Sequence, residues 1–571
     1  MPALIQGAGT DSVEFSTLEE SSAPQYAYPD GLNLSPGSDL HDRLKLLVLH
    51  KARASYGVMQ RRHASWRKVD KTLCAYIDPD DAEILVQQRD PRKPVSIVFP
   101  YSYAILDTLT AFMDGLFLKS PIFRYEGNSP EDVLGAALLE KVIDIHCKRN
   151  KVNLSLHTAF RDGLAYGVGA AFPMWKQNYG FKTRATPDGV YREAALLFEG
   201  NAIETVDPYK LLLDPIVGVK DVQAGEMVGF IRTLNFYDLL TKEAEAGGNI
   251  FNVRYLDRKI PMRTTVTTID PSYREIRTGG GANADPSHTN PVDIIFMYLK
   301  IIPKDYGLGD SEMPEKWQFA LAGDKVIIQA QPLNADHDMF PIALCAPTFD
   351  GYTNLPLSRL ELMEGLQGVI DWLFNSHITN VRKALNDMII YDPFMLNSDD
   401  VKDPKPGKLI RARRAAWGKD LRGSIMQFPV TDVTQSHLND TGLIASLMHR
   451  LSGTDDATMG MLRQGGPERL TGTEFSGTQR SAMGRMEAMT RIIGSQMMQD
   501  LGYMMAMHTQ QLMSQDLFVD TAGRWQEVLG AEYAAQIQGG KMRATPNDLR
   551  VDFDISVLDY NSLGSQDATL W

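Results

Sequence analysis

From Leu357 to Asp387 the sequence places Leu362, Leu366, Val369, Ile370, Leu373, Phe374, Ile378, Val381 and Leu385 at intervals of three and four, the spacing of a helix. Roughly thirty helical residues reach about 45 Å. A helix of that length outgrows one small core; it spans a layer or packs in a bundle or ring. A second apolar-periodic stretch follows at 436–452, with Leu438, Ile444, Leu447, Met448 and Leu451. Between the two lie short runs that read as extended chain: MIIYDPFML (388–396), the turn-rich NSDDVKDPKPG, KLIRARR and SIMQFPV. The centre of the chain therefore reads as helix, small extended module, helix.

The flanks differ in texture. Residues 1–41 are acidic and rich in Ser, Gly and Pro, the composition of a mobile arm. Helical periodicity starts near Asp42 and recurs in YSYAILDTLTAFMDGLFL (101–118) and in the stretch after Ser129-Pro130, where Ser129 is the expected N-cap. It recurs again in LSLHTAFRDGLAYGVGA (154–170). From 170 to 350 the runs become short and strand-like, among them VYREAALLFEG, MVGFIRTL, RTTVTTI, DIIFMYLKIIP and KVIIQAQ. After 453 a loop with five glycines leads to Thr471-Gly-Thr-Glu474, a capping box, and then to a very long helical pattern ending near 515. Nine methionines lie between Met483 and Met513; at this spacing they read as core, with an adaptable interface between subunits as the alternative. The fold class expected is α+β.

Composition excludes several functions. Lys and Arg total 58 against 71 Asp and Glu, a net charge of −13, so a broad basic nucleic-acid-binding face is not expected. Cys74, Cys147 and Cys345 are far apart and odd in number, which suits a reducing compartment. No apolar run approaches the roughly 20 residues that span a bilayer, and the first 40 residues hold no Lys or Arg for a signal peptide. The expectation is a soluble chain with no membrane partner.

No chemical motif emerges. A Walker A loop, HExxH and GxSxG are absent. The triple glycine in RTGGGANADPSHTN (277–290) lacks the Lys-Ser/Thr and helix of a phosphate cradle. Asp336-His337-Asp338 reads as a solvated polar turn rather than a metal site. No catalytic residue, metal ligand or cofactor is expected. One segment stands out by charge: residues 401–424 carry +6, with eight cations against Asp403 and Asp420. Lys408, Arg411, Arg413, Arg414, Trp417, Lys419 and Arg422 suit a cationic strand face for an acidic partner or DNA phosphates. A solvated hairpin is the alternative.

The order of these elements, with FRDGLAYGVGAAFPMWKQ (160–177) and VDPYKLLLDP (206–215), resembles the portal proteins (head-to-tail connectors) of short-tailed bacteriophages. The resemblance implies a non-enzymatic ring of about twelve subunits at one capsid vertex, assembled in the bacterial cytoplasm. Double-stranded DNA would pass through its channel during packaging and ejection. The terminase large subunit, a tail adaptor, and the major capsid and scaffolding proteins would dock on it. By position it implies a wing at 42–356, a stem helix at 357–387, a clip at 388–435 and a stem helix at 436–452. A tunnel loop at 453–472, a long wing helix at 473–515 and a C-terminal wing or short crown region at 516–571 complete the chain. Leu366, Leu373, Ile444 and Leu447 would then face neighbouring stems, the 401–424 cations would dock partners, and Arg463, Gln464 and Arg469 would line the channel. Another phage ring or shell protein, such as an adaptor, is the alternative, and a multi-domain enzyme without a linear motif a further one.

Overall fold

The computed structural model describes residues 26, 28, 32–75, 97–186, 189–245, 249–257, 262–267, 291–348, 350–385, 388–402, 409–418, 420–428, 434–454, 484–520, 537–538 and 541–556. Helix and strand are mixed, as the α+β reading requires. Among the described residues the first helices are α1 (Asp39–Leu73), α2 (Tyr101–Phe117), α3 (Val133–Arg149) and α4 (Val152–Tyr166). Ser38 caps α1 by accepting from the His41 amide, and Asp39 and Asp42 sit in its first turn, where the helix dipole favours negative charge. Helix α3 begins later than its sequence suggests. The Asp132 amide donates to the Ser129 carbonyl, so Ser129-Pro130 form a turn before the helix and Asp132 takes the cap position.

Strand β1 (Arg124–Gly127) precedes α3, and α4 leads into the long ribbon of β2 (Gly169–Thr186) and β3 (Gly189–Val206). The passage from α4 to β2 explains the glycines of DGLAYGVG. Gly167 ends the helix at φ +84°, a conformation most residues avoid. At Gly169 a Cβ would overlap the Ala159 carbonyl oxygen, so only glycine lets the strand run this close to the helix.

A five-stranded antiparallel sheet follows: β4 (Leu211–Leu213), β5 (Met227–Asn235), β6 (Pro291–Ile301), β7 (Glu315–Ala322) and β8 (Val326–Pro332), in that order across the sheet. Both faces are covered, which is why β6 reads as an almost continuous apolar run. Ile295, Met297 and Leu299 pack with Leu44, Val48 and Ala52 of α1. Ile294 on the other face packs with Phe236 and Leu239 of α5 (Phe236–Glu245). RTTVTTI does not become a strand over its described part. Thr264 and Thr265 donate their amides to Asp293 and Asp324, which bends 263–267 away from extended geometry.

The largest core joins α2, α3, α4, the root of β2, β9 (Ala343–Cys345) and the long C-terminal helix. Within it Asp70 of α1 accepts from Tyr166 at 2.5 Å and from Tyr209 at 2.7 Å. Asp207 turns the chain by accepting from the Tyr209 amide at 3.0 Å, so the VDPY stretch aims a tyrosine at α1. Burial and the adjacent Asp70 carboxylate push the Tyr209 hydroxyl far above its ordinary range, which keeps it a donor.

Next come α6 (Arg359–Leu385), β10 (Met388–Tyr391), β11 (Ile425–Phe428) and α7 (Gln435–Ser452). Residues 484–493 are helical, 494–498 form a π turn, and α8 (Gln499–Leu512) continues from it. The π turn adds a residue to the helical repeat and shifts the apolar stripe. Met497 and Met498 are thus both fully buried, as are Met504 and Met505. Strands β12 (Leu517–Asp520), β13 (Ile537–Gln538) and β14 (Lys541–Ala544) form a small sheet, and β15 (Phe553–Ser556) pairs with β1.

Candidate functional site

Helices α6 and α7 form an antiparallel pair. At one end Arg359 donates to the Ser452 carbonyl at 2.6 Å. At the other, His377 Nδ1 lies 2.9 Å from Thr434 Oγ1 and Ser376 Oγ lies 3.1 Å from His437 Nδ1. Helix α6 has three distinct faces. Leu360, Met363, Ile370 and Leu373 enter the protomer core. Gln367, Asp371 and Asn375 hold the segment before α2: Asp371 accepts from the Phe99 amide at 2.8 Å, and Asn375 both accepts from the Ile97 amide and donates to its carbonyl, each at 2.9 Å. Burial raises the Asp371 carboxyl above its ordinary range, against those donors. The third face presents Leu362, Val369 and Trp372 to solvent.

Helix α7 repeats the pattern. Thr441, Ala445, Met448 and Ser452 are buried, while Leu443, Leu447 and Leu451, one turn apart, are exposed. A surface helix of a monomer carries one apolar stripe; the second on each helix is exposed and has no partner among the described residues. The four residues expected to face neighbours are divided by the structure. Leu373 is only 7% exposed and belongs to the protomer's own packing. Leu366 and Ile444 pack against the main core, and Leu447 alone is exposed. The second stripe is separable in the sequence by its helical phase, roughly a third of a turn from the first.

Between the helices β10 and β11 pair antiparallel, Met388 to Phe428 through Tyr391 to Ile425. The expected cationic strand at 411–417 is absent. Only one bridge, Leu396 to Ala412, forms there, and 414–416 make a 3-10 turn. The cause is Asp400, which accepts from the Arg411 amide at 3.1 Å and grips its guanidinium at 2.9 and 3.0 Å. That carboxylate raises the Arg411 guanidinium further and cancels its charge. Arg413 and Arg414 are exposed without an ion-pair partner among the described residues. Trp417 beside them is 81% exposed, and Phe394, Leu409 and Met426 also face solvent. Arg422 lies in the short turn 421–423. Lys408 and Lys419 lie outside the described residues, as do Arg463, Gln464 and Arg469 with 455–483.

The Asp336-His337-Asp338 turn is not solvated at its centre: His337 is buried against His508. Among the described residues no group of three or more His, Cys, Asp or Glu is placed to hold a metal ion, and no helix is long and apolar enough to cross a membrane.

A family model described as phage SU10 portal protein matches residues 199–538, more than half of the chain, from the end of the β2–β3 ribbon through α8 to β13. No curated protein matches the chain.

Proposed function

The chain belongs to the family of phage SU10 portal proteins, and from that premise we propose that it works as a closed ring of about twelve copies around double-stranded DNA. The observation that carries this reading is the second apolar stripe on each stem helix: Leu362, Val369 and Trp372 on α6, and Leu443, Leu447 and Leu451 on α7. Two different exposed surfaces suit a head-to-tail contact, with the α6 stripe of one copy on the α7 stripe of the next, and such contacts close into rings. The stems then form a tube. The segment 453–472 follows α7 and precedes the long helix, so it is the candidate for the inner wall, with Arg463, Gln464 and Arg469 as sparse phosphate contacts. A net charge of −13 per chain favours a duplex that slides rather than sticks.

The portal is a structural component of the capsid vertex, assembled before packaging in the bacterial cytoplasm, beside capsid and scaffolding proteins. The module between the helices is the docking surface for the terminase large subunit and later the tail adaptor. Exposed Trp and Arg are the residue types that dominate such contacts. Alanine at Arg413, Arg414 and Trp417 together leaves ring mass unchanged and weakens binding of motor or adaptor by about 100-fold. Unchanged binding to the triple variant, measured by surface plasmon resonance, would remove the docking assignment.

Native mass spectrometry of the purified protein tests the ring itself. A particle of about twelve times 63.6 kDa is expected, with an axial hole in negative stain. A monomer or dimer at micromolar concentration would overturn it.

A further inference from the structure

Two histidines 171 residues apart in sequence meet inside the protein: His337, in the loop after β8, and His508 of α8, with Nε2 to Nε2 at 3.3 Å. Their protonation states follow from one backbone group. The Met339 amide donates to His337 Nδ1 at 2.9 Å, so that nitrogen carries a lone pair and the ring proton sits on Nε2. His337 Nε2–H then donates to His508 Nε2, and the His508 proton must sit on Nδ1. That Nδ1 is buried and has no hydrogen-bond partner among the described residues. Each ring is locked as one neutral tautomer. A proton added to His337 Nδ1 would meet the Met339 N–H, and one added to His508 Nε2 would meet the His337 N–H.

We propose that His337 and His508 form an acid-labile latch that fastens α8 to the loop 334–342, and through it to the five-stranded sheet. The contacts around the pair support a latch. Gln511, on the same helix, accepts from the Asp336 amide at 3.3 Å and donates to the Asn334 carbonyl at 2.8 Å. Lys316 of β7 donates to the Asp338 carboxylate at 2.8 Å, and its ammonium disfavours a charged His337, while Asp336 and Asp338 favour one. Burial outweighs the carboxylates and pulls His337 down to about 4; burial and then His337 pull His508 to about 4. The stabilisation is therefore complete above the unfolded value of 6.5 and is lost as pH falls toward about 4. The candidate tunnel loop, 453–472, precedes in sequence the helical run that α8 ends, so the latch fixes the far end of that run. The latch does not depend on the portal reading.

A metal held between the rings is the competing explanation, since 3.3 Å also suits two ligands of a tetrahedral ion. It is disfavoured because a neutral ring ligating through Nε2 needs a proton on Nδ1, where the Met339 N–H already points.

The test compares the full chain with His508→Gln, whose carbonyl oxygen can accept from His337 but cannot titrate. Amide hydrogen exchange over 334–342 and 499–512, corrected for intrinsic rates, is followed from pH 7.5 to 4.5. Acceleration of at least about tenfold is expected in the natural protein and under twofold in the variant. Asp500 on α8, raised to about 6 by burial, titrates in the same window with the opposite sign, but it is common to both proteins. Equal acceleration in the two overturns the latch. So does a thermal midpoint at pH 7.5 that zinc alone raises in the natural protein and not in the variant. Should His508→Gln not fold, imidazole C2–H exchange on the natural protein decides. Titration of both histidines well below 6.5 supports the latch, and midpoints near 6.5 overturn it.

Discussion

A carboxylate at Val369 or Leu443 is expected to turn rings into monomers without changing how the monomer unfolds. In one protomer these side chains are 43% and 62% exposed, so a charge there stays hydrated and costs the fold little. In the proposed ring each stem stripe is covered by a neighbour, and an unpaired carboxylate is then buried at every interface. Burying such a charge costs about 3 kcal/mol or more, which is roughly a hundredfold in each pairwise association. The loss repeats around the ring, so closure fails altogether. Leu373→Asp is the control with a different signature. That side chain is 7% exposed inside the protomer, and a charge there lowers the monomer's own unfolding midpoint. Native mass spectrometry and urea unfolding of the three variants separate the cases. Rings of normal mass from Val369→Asp and Leu443→Asp would show that the exposed stripes are not the subunit contact.

Gly169→Ala carries the largest expected cost to the fold. The added Cβ would press on the Ala159 carbonyl oxygen and come within 2.9 Å of the Gly163 amide nitrogen. Both are backbone atoms of α4, so neither can swing aside as a side chain would. Either β2 or α4 must move, and the buried residues around them, among them Phe160, Ala170 and Ala171, lose their packing. A loss of about 3–5 kcal/mol is expected, the upper range for one substitution. Gly57→Ala is the opposite case. Gly57 is an exposed position within α1 with nothing within 4 Å of its virtual Cβ, so alanine there should add up to about 1 kcal/mol through helix propensity. Urea midpoints of both variants check the pair. A Gly169→Ala protein as stable as the natural one would mean that the close helix–strand approach is not needed.

Helices α6 and α7, strands β10 and β11 between them and the α+β class were legible because helical period, strand alternation and turn residues are local properties of a chain. The α6 boundaries, expected at 357–387, are Arg359–Leu385, and α7, expected at 436–452, is Gln435–Ser452. The VDPY and DGLAYGVG stretches carry the resemblance in the sequence, but their purpose appears only in three dimensions. One aims Tyr209 at Asp70, and the other lets β2 touch α4.

Periodicity establishes that α6 and α7 are apolar; which stripe each gives to its own core depends on where the rest of the chain packs. That is why Leu373 turns inward while Val369 is left outside. A count of cations finds the 401–424 charge excess, yet only the fold brings Asp400 onto Arg411 and leaves Arg413 and Arg414 without an ion-pair partner among the described residues. The His337–His508 pair lay beyond any sequence pattern, because its two members are joined by no period or motif. Local geometry is encoded residue by residue and survives in the sequence as spacing. A contact between distant residues, the burial of a charge or the choice of one helix face over another is set by the sum of all packing, and exists only once the chain has closed on itself.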